Sequence, residues 1–134
     1  MCNKAQLVVS FCQQSLLVAR TMCLKKTIRR IAVNEAANST APEFKVAAVI
    51  HRGKRIYVKS VNVPYKTHPN GSGIYTTCHA EVLAIMKAKN IIGDLAGMSI
   101  FVARISPLGE IKPSKPCPDC MNLILKNDLI PAWT

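Results

Sequence analysis

The clearest helical period lies in KKTIRRIAVNEAAN, residues 25–38. Ile28, Ile31, Ala32 and Ala36 share one side of the wheel, while Arg29, Arg30 and Glu35 fall mostly elsewhere. That is an amphipathic helix with one face for a core. Asn38-Ser39-Thr40-Ala41-Pro42 breaks the pattern. Two short apolar, β-branched runs follow, KVAAVIH at 45–51 and RIYVKSVN at 55–62, and Arg52-Gly53-Lys54 between them predicts a hairpin. Residues 63–77, VPYKTHPNGSGIYTT, hold two prolines and two glycines and predict a long loop. Loops of this length are often functional.

A second helix is predicted over 78–90, with Thr76 or Thr77 as N-cap and Val82, Leu83, Ile85 and Met86 as core. Gly93 to Gly97 reads as a turn, MSIFVARI at 98–105 as a third strand, and SPLGEIKPSKP as a loop. CPDCMNLILKN, 117–127, predicts a third helix with Pro118 suited to its first turn. LIPAW begins a fourth strand. The apolar positions from Leu7 to Ala19 wrap most of a helical wheel. They suggest an accessory N-terminal helix or extension over 1–24, packed on the domain or on a neighbouring subunit, with one domain over 25–134.

The order α-β-β-α-β-α-β predicts the α/β class. The expected form is a three-layer α-β-α sandwich on a mixed sheet. Its first hairpin is antiparallel, and its later strands, joined through helices, are parallel. The chain of 134 residues is the length of one ordinary domain, and a hydrophobic share of 49% supplies a core. Eighteen Lys+Arg against seven Asp+Glu give a net charge of +11. That favours acidic partners: a nucleotide's phosphates, nucleic acid or a membrane surface. The stretch AQLVVSFCQQSLLVA is interrupted by Gln13 and Gln14. It is too short and polar for a span of roughly 20 apolar residues, and its cleavage pattern is poor for a secretory signal. A reducing, cytoplasmic setting without membrane partners is therefore expected for the six cysteines. There a CxxC pair points to metal or redox chemistry.

Cys117 and Cys120 are spaced i, i+3 and share one face of a helix turn. In a first turn, the helix dipole favours thiolates. A thioredoxin-like redox CxxC would follow the first strand of a βαβ unit; this one comes late, among prolines at 113, 116 and 118. His79 lies at the start of its own helix. Two strand-helix units in a parallel sheet bring neighbouring helix N-termini to the same end of the sheet. His79, Cys117 and Cys120 can then converge, and a histidine with two thiolates is a set Zn2+ accepts tetrahedrally, leaving one position for water. Glu81, two residues from His79, could reach that water without binding the metal and carry its proton to a substrate nitrogen. Cys78 is read as a small packing residue and not a fourth ligand.

His79-Ala80-Glu81, a gap of 34 residues, then Pro116-Cys117-Pro118-Asp119-Cys120 match the H-x-E…P-C-x-x-C signature of zinc nucleobase deaminases. Over roughly residues 25–133 the chain resembles the cytidine/deoxycytidylate deaminase-like superfamily. VAAVIHRGKRIYVKSVN resembles the family's first hairpin, which ends in a substrate-contacting asparagine, here Asn62. KTHP, the HAE helix, FVARI and SKPCPDC together resemble small deaminases of phages and microbes. The resemblance implies hydrolytic deamination of a cytosine (or adenine) ring, with Glu81 moving protons and ammonia leaving. It also implies that the backbone near Ala80 and Cys117 holds the base. A phosphate-bearing substrate would want cations at the pocket mouth, for which Lys66, His68 and Arg104 are the candidates.

Family domains usually continue past the fourth strand with another helix, whereas Thr134 is the last residue here. A C-terminally short version that works as a homo-oligomer is expected. The leading function is deamination of a cytosine nucleoside or nucleotide, foremost deoxycytidylate. One alternative is a polynucleotide substrate, single-stranded DNA or tRNA. The +11 charge supports it, and an aromatic share of 5% opposes it. The other alternative is a non-catalytic, zinc-stabilised binding or scaffold protein, against which the intact Glu81 speaks.

Overall fold

The structure, a computed structural model, describes residues 24–64 and 77–134. The extension expected over 1–24 lies outside them apart from Leu24. So does most of the expected loop, including Lys66 and His68.

Residues 24–36 form helix α1. Ile28, Ala32 and Ala36 are its buried stripe, the spacing the sequence predicts. Strands β1 (Lys45–Arg52) and β2 (Arg55–Val61) follow as an antiparallel hairpin, with a register shift between Ile50 and His51. Gly53, at φ 56, supplies the left-handed residue of the turn. After β3 (Val63–Pro64) and β4 (Thr77–Cys78) come α2 (Ala80–Ile91), β5 (Ser99–Ile105) and β6 (Ile111–Lys112). Helix α3 (Pro118–Lys126) and β7 (Ile130–Trp133) end the chain.

Strand alternation sorts the core onto two faces. Ala47 and Val49 of β1, with Ala103 and Ile105 of β5, meet Ala32 and Ala36 of α1. Ala48 and Ile50, with Ile100 and Val102, meet Ala80, Ala84, Ile85 and Ala88 of α2 and Ile124 of α3. Helices therefore cover both faces of one sheet, the three-layer sandwich. Val49, Ile50, Ile100 and Val102 are fully buried, each contributing roughly 1.5–3 kcal/mol.

The strand order is β2-β1-β5, and the far edge of β5 is shared by β6 and β7. Here the observed sheet departs from the expected one. β1 is antiparallel to both β2 and β5, so β2 and β5 point the same way yet are not neighbours. Among the described strands, the parallel ladder is β5 with β7, from Ser99↔Ile130 to Val102↔Trp133. Residues 47–50 of β1 are buried on both faces, which suits a central strand, whereas β2 exposes Arg55 and Lys59 and takes the edge.

Three short ladder segments go beyond the elements expected from the sequence. β3 pairs with β4, and β6 returns along Arg104 and Ile105 inside the stretch expected to be a loop. The β4 pairing also moves the start of α2. Thr77 is in a strand, and His79 (φ −69, ψ 142) is the N-cap in place of the expected threonine. No helix among the described residues is long and apolar enough to cross a membrane.

Candidate metal centre and active-site pocket

The first residues of α2 and α3 bring three ligand-type side chains together. His79 is the N-cap of α2 and Cys117 the N-cap of α3, both with extended backbone. Pro118 occupies the first turn of α3, where its missing N–H costs nothing. Cys117 Sγ accepts the Cys120 backbone N–H at 3.5 Å, which places both sulfurs on one side of that turn. His79 Nδ1 lies 3.2 Å from Cys120 Sγ and 3.5 Å from Cys117 Sγ. All three ligand atoms lie within 4.8 Å of one another.

These separations fit zinc. Tetrahedral zinc with bonds of about 2.0–2.1 Å to nitrogen and about 2.3 Å to sulfur sets N···S near ~3.6 Å and S···S near ~3.8 Å. The electrostatics fit as well. Burial pushes the Cys120 thiol well above its usual range, reinforced by the charges of Glu81 and Cys117, the hydrogen bond with Cys117 and the charge of Asp119. The helix N-terminus by itself is expected to favour thiolates here; burial and neighbouring negative charge outweigh it. A bound divalent cation inverts that balance and deprotonates a coordinating thiol.

Glu81, in the first turn of α2, is 5% exposed. Burial raises its carboxyl's hold on a proton, against the pull of its own backbone N–H. With His79, Ala80 and Cys117 it lines a cavity of about 490 Å³, a volume ordinary for a small-molecule site. The other walls come from Val46 at the start of β1, Asn62 after β2, Arg104 at the end of β5, and Ser114 and Lys115 before α3. The cavity thus collects the expected residues Glu81, His79, Cys117, Asn62, Ala80 and Arg104. Cys120 is fully buried behind its wall.

Asn62 borders the cavity but is largely committed to the fold. Its Oδ1 accepts from Ser39 Oγ at 2.6 Å and from Val46 N at 2.9 Å. Its Nδ2 donates to Phe44 O at 2.9 Å, which leaves one amide N–H for another partner. Asn62→Ala is expected to destabilise the protein by about 1–3 kcal/mol, because buried partners lose their bonds. Denaturant unfolding of parent and variant measures this, and a difference below about 0.5 kcal/mol would contradict it.

Sequence reasoning misses Phe44, Ser39 and Lys115. Lys115 carries a legible signal, a cation two residues before Cys117. Phe44 carries none, since a lone aromatic ahead of a strand ordinarily packs in a core.

Comparison with known proteins agrees with this geometry. Residues 22–132 match the family described as "Cytidine and deoxycytidylate deaminase zinc-binding region". No curated protein gives a significant match. Among solved structures, the dCMP deaminase from cyanophage S-TIM5, in complex with dCMP and dUMP, is 20% identical with a TM-score of 0.56, over 82% of each chain. Cytidine deaminase from Mycobacterium tuberculosis is 20% identical with a TM-score of 0.51, over 77% of this chain and 79% of that one. A diaminohydroxyphosphoribosylaminopyrimidine deaminase/5-amino-6-(5-phosphoribosylamino)uracil reductase from Thermotoga maritima is 22% identical with a TM-score of 0.52. It matches over 81% of this chain and 28% of its own. Likeness at these identities is a likeness of fold.

Proposed function

Since the chain belongs to the cytidine and deoxycytidylate deaminase family and is a zinc-dependent deaminase of cytosine nucleosides or nucleotides, we propose that deoxycytidylate is its substrate and that His79, Cys117 and Cys120 hold the metal. The observation that carries this is the meeting of three zinc-type ligand atoms with a buried carboxyl on the wall of one cavity. The cyanophage dCMP deaminase, similar in fold, was solved with dCMP and dUMP.

Zinc bound there would supply a Lewis acid that makes water nucleophilic near neutral pH. The chain's own residues do the rest. Glu81 takes a proton from the attacking water. It gives that proton to the ring nitrogen beside C4 as the hydroxyl adds to C4, then passes the hydroxyl's remaining proton to the amine, so that a C4 carbonyl forms, the C4–N bond breaks and ammonia leaves. Burial equips Glu81 for this, since a carboxyl held above its ordinary pKa carries a proton readily. The backbone around Ala80 and Cys117 borders the reacting ring, the remaining N–H of Asn62 reaches for the substrate, and Arg104 faces its charged end.

The charge of +11 favours a second reading, a base within a single-stranded polynucleotide. Ammonia release from deoxycytidylate and from a cytosine-containing oligonucleotide, each at two salt concentrations, separates the two. Turnover of the free nucleotide with weak salt dependence is expected. Turnover confined to the oligonucleotide and lost at high salt would overturn the proposal.

A further inference from the structure

Among the described residues, one face of the sheet is only half covered. On the other face α2 and α3 together bury the strands. Here α1 alone lies over β1 and β5, where Ala32 and Ala36 meet Ala47, Val49, Ala103 and Ile105. A helix about 10 Å across shields roughly two strands spaced about 4.8 Å apart. β6 and β7, beyond β5, are left over. Residues paired in a ladder point to the same face. Ile130 opposite Ser99, Ala132 opposite Phe101 and Ile111 opposite Ile105 therefore stand on the α1 side. All three are exposed, Ile130 by 58% and Ile111 by 46%. Pro113, two residues beyond Ile111, is exposed as well. A strand face turned to water ordinarily carries polar residues; this strip carries none.

The direction of α1 points to what covers the strip. Ala36 meets Ala47 and Ile105, and Ala32 meets Val49 and Ala103, so α1 runs antiparallel to β1. Its first residue, Leu24, thus lies toward the end of the sheet where Ser99 pairs with Ile130. Residues 1–23 join the domain at that end of the strip. Their run from Leu7 to Ala19 contains no charged residue and is apolar around most of a helical wheel. As a helix it would span about 20 Å. The strip, measured along β5 from Ser99 to Ile105, is also about 20 Å long. Arg20 to Cys23 remain for the turn into α1.

We propose that residues 7–19 of the same chain dock along Ile130, Ala132 and Ile111 and complete the cover of this face. The docking also backs the cavity. Ser114, three residues beyond Ile111, is part of the cavity wall and accepts the Thr134 N–H at the end of β7. A segment lying across β6 and β7 holds both strands behind that wall.

The test uses the full chain and its native Cys12, in the middle of the docking run. Alkylation by iodoacetamide is followed peptide by peptide with mass spectrometry. In the parent, Cys12 is expected to react at least roughly 10-fold more slowly than in the urea-unfolded chain, as packed segments do. Ile130→Glu and Ile111→Glu, at opposite ends of the strip, should each bring Cys12 close to the unfolded rate. Ile130→Ser, a milder change, should act in the same direction. Leu108→Glu, in the turn between β5 and β6 and 90% exposed, should leave Cys12 protected. Circular dichroism and zinc content establish that each variant is folded. A Cys12 that reacts at the unfolded rate in the parent overturns the docking. So does a protected Cys12 that no strip variant releases, since the segment then lies elsewhere. Protection that fades as the chain is diluted assigns the strip to a second copy and overturns docking within one chain. No step involves the substrate, so each of these outcomes leaves the deaminase reading where it was.

Discussion

Glu81→Gln is expected to keep about one zinc per chain and to lose deamination by roughly 10²- to 10⁴-fold. Metal retention follows from the geometry: the three clustered ligand atoms belong to His79, Cys117 and Cys120, and Glu81 is not among them. The rate loss follows from the chemistry, because an amide has the size and much of the hydrogen bonding of a carboxyl but cannot pass a proton. Zinc content by atomic spectroscopy and ammonia release from deoxycytidylate separate the two effects. A Glu81→Gln protein that deaminates at the parental rate would show that the proton carrier has been misassigned. The same substitution has a counterpart in stability. In the metal-free protein burial raises the Glu81 pKa, so the native state holds this proton more tightly than the unfolded chain does. The stability this residue contributes is present at acid pH and is lost as the pH rises through the raised value. A glutamine is spared that loss. Metal-free Glu81→Gln should therefore melt above the metal-free parent at neutral pH, and the gap should close on acidification.

Cys117→Ser should lose the metal and the stability that comes with it. The substitution is informative because serine is among the best N-cap residues. The bond that Cys117 Sγ now takes from the Cys120 N–H can be made by a serine oxygen, so the start of α3 is not damaged. What serine cannot supply at neutral pH is a thiolate. With free zinc at 100 times its dissociation constant, binding adds about 2.7 kcal/mol, which for a domain of this size is roughly 10 °C in melting temperature. The variant should melt where the chelated parent melts, and adding a chelator should change it no further. A serine variant that keeps stoichiometric zinc through dialysis would remove Cys117 from the ligand set.

The clustering of His79, Cys117 and Cys120 is legible because each is expected at the start of a helix. A C-x-x-C at a helix start and a histidine at another helix start can meet only if the two helix ends share one side of the sheet, and they do. The faces of the strands are legible for the same kind of reason, since a period of two assigns Ala47 and Val49 to one side and Ala48 and Ile50 to the other. Which strand sits beside which is not carried by that period. The insertion of β1 between β2 and β5 depends on burial of both faces of residues 47–50, a property of the finished sheet. The two-residue ladders at Val63–Pro64, Thr77–Cys78 and Ile111–Lys112 are too short to show any period. The family resemblance, not the pattern of the hairpin, implies a substrate role for Asn62. Its threefold hold on Ser39, Phe44 and Val46 is invisible there, because those partners lie 16 to 23 residues away.

His79 and Cys117 are 38 residues apart in the chain, yet their ligand atoms nearly touch. A metal shared between them is a cross-link in the sense that a disulfide is one. Closing a loop of that length restricts the unfolded chain by about 4 kcal/mol in the chain-entropy estimate. Unlike a disulfide, this link contains no bond that a thiol reductant can cut, because zinc does not change oxidation state and the sulfurs stay thiolates. The two helices beside the reacting ring can thus be fastened to each other in a reducing solution, and the fastening can be undone by competition for the metal.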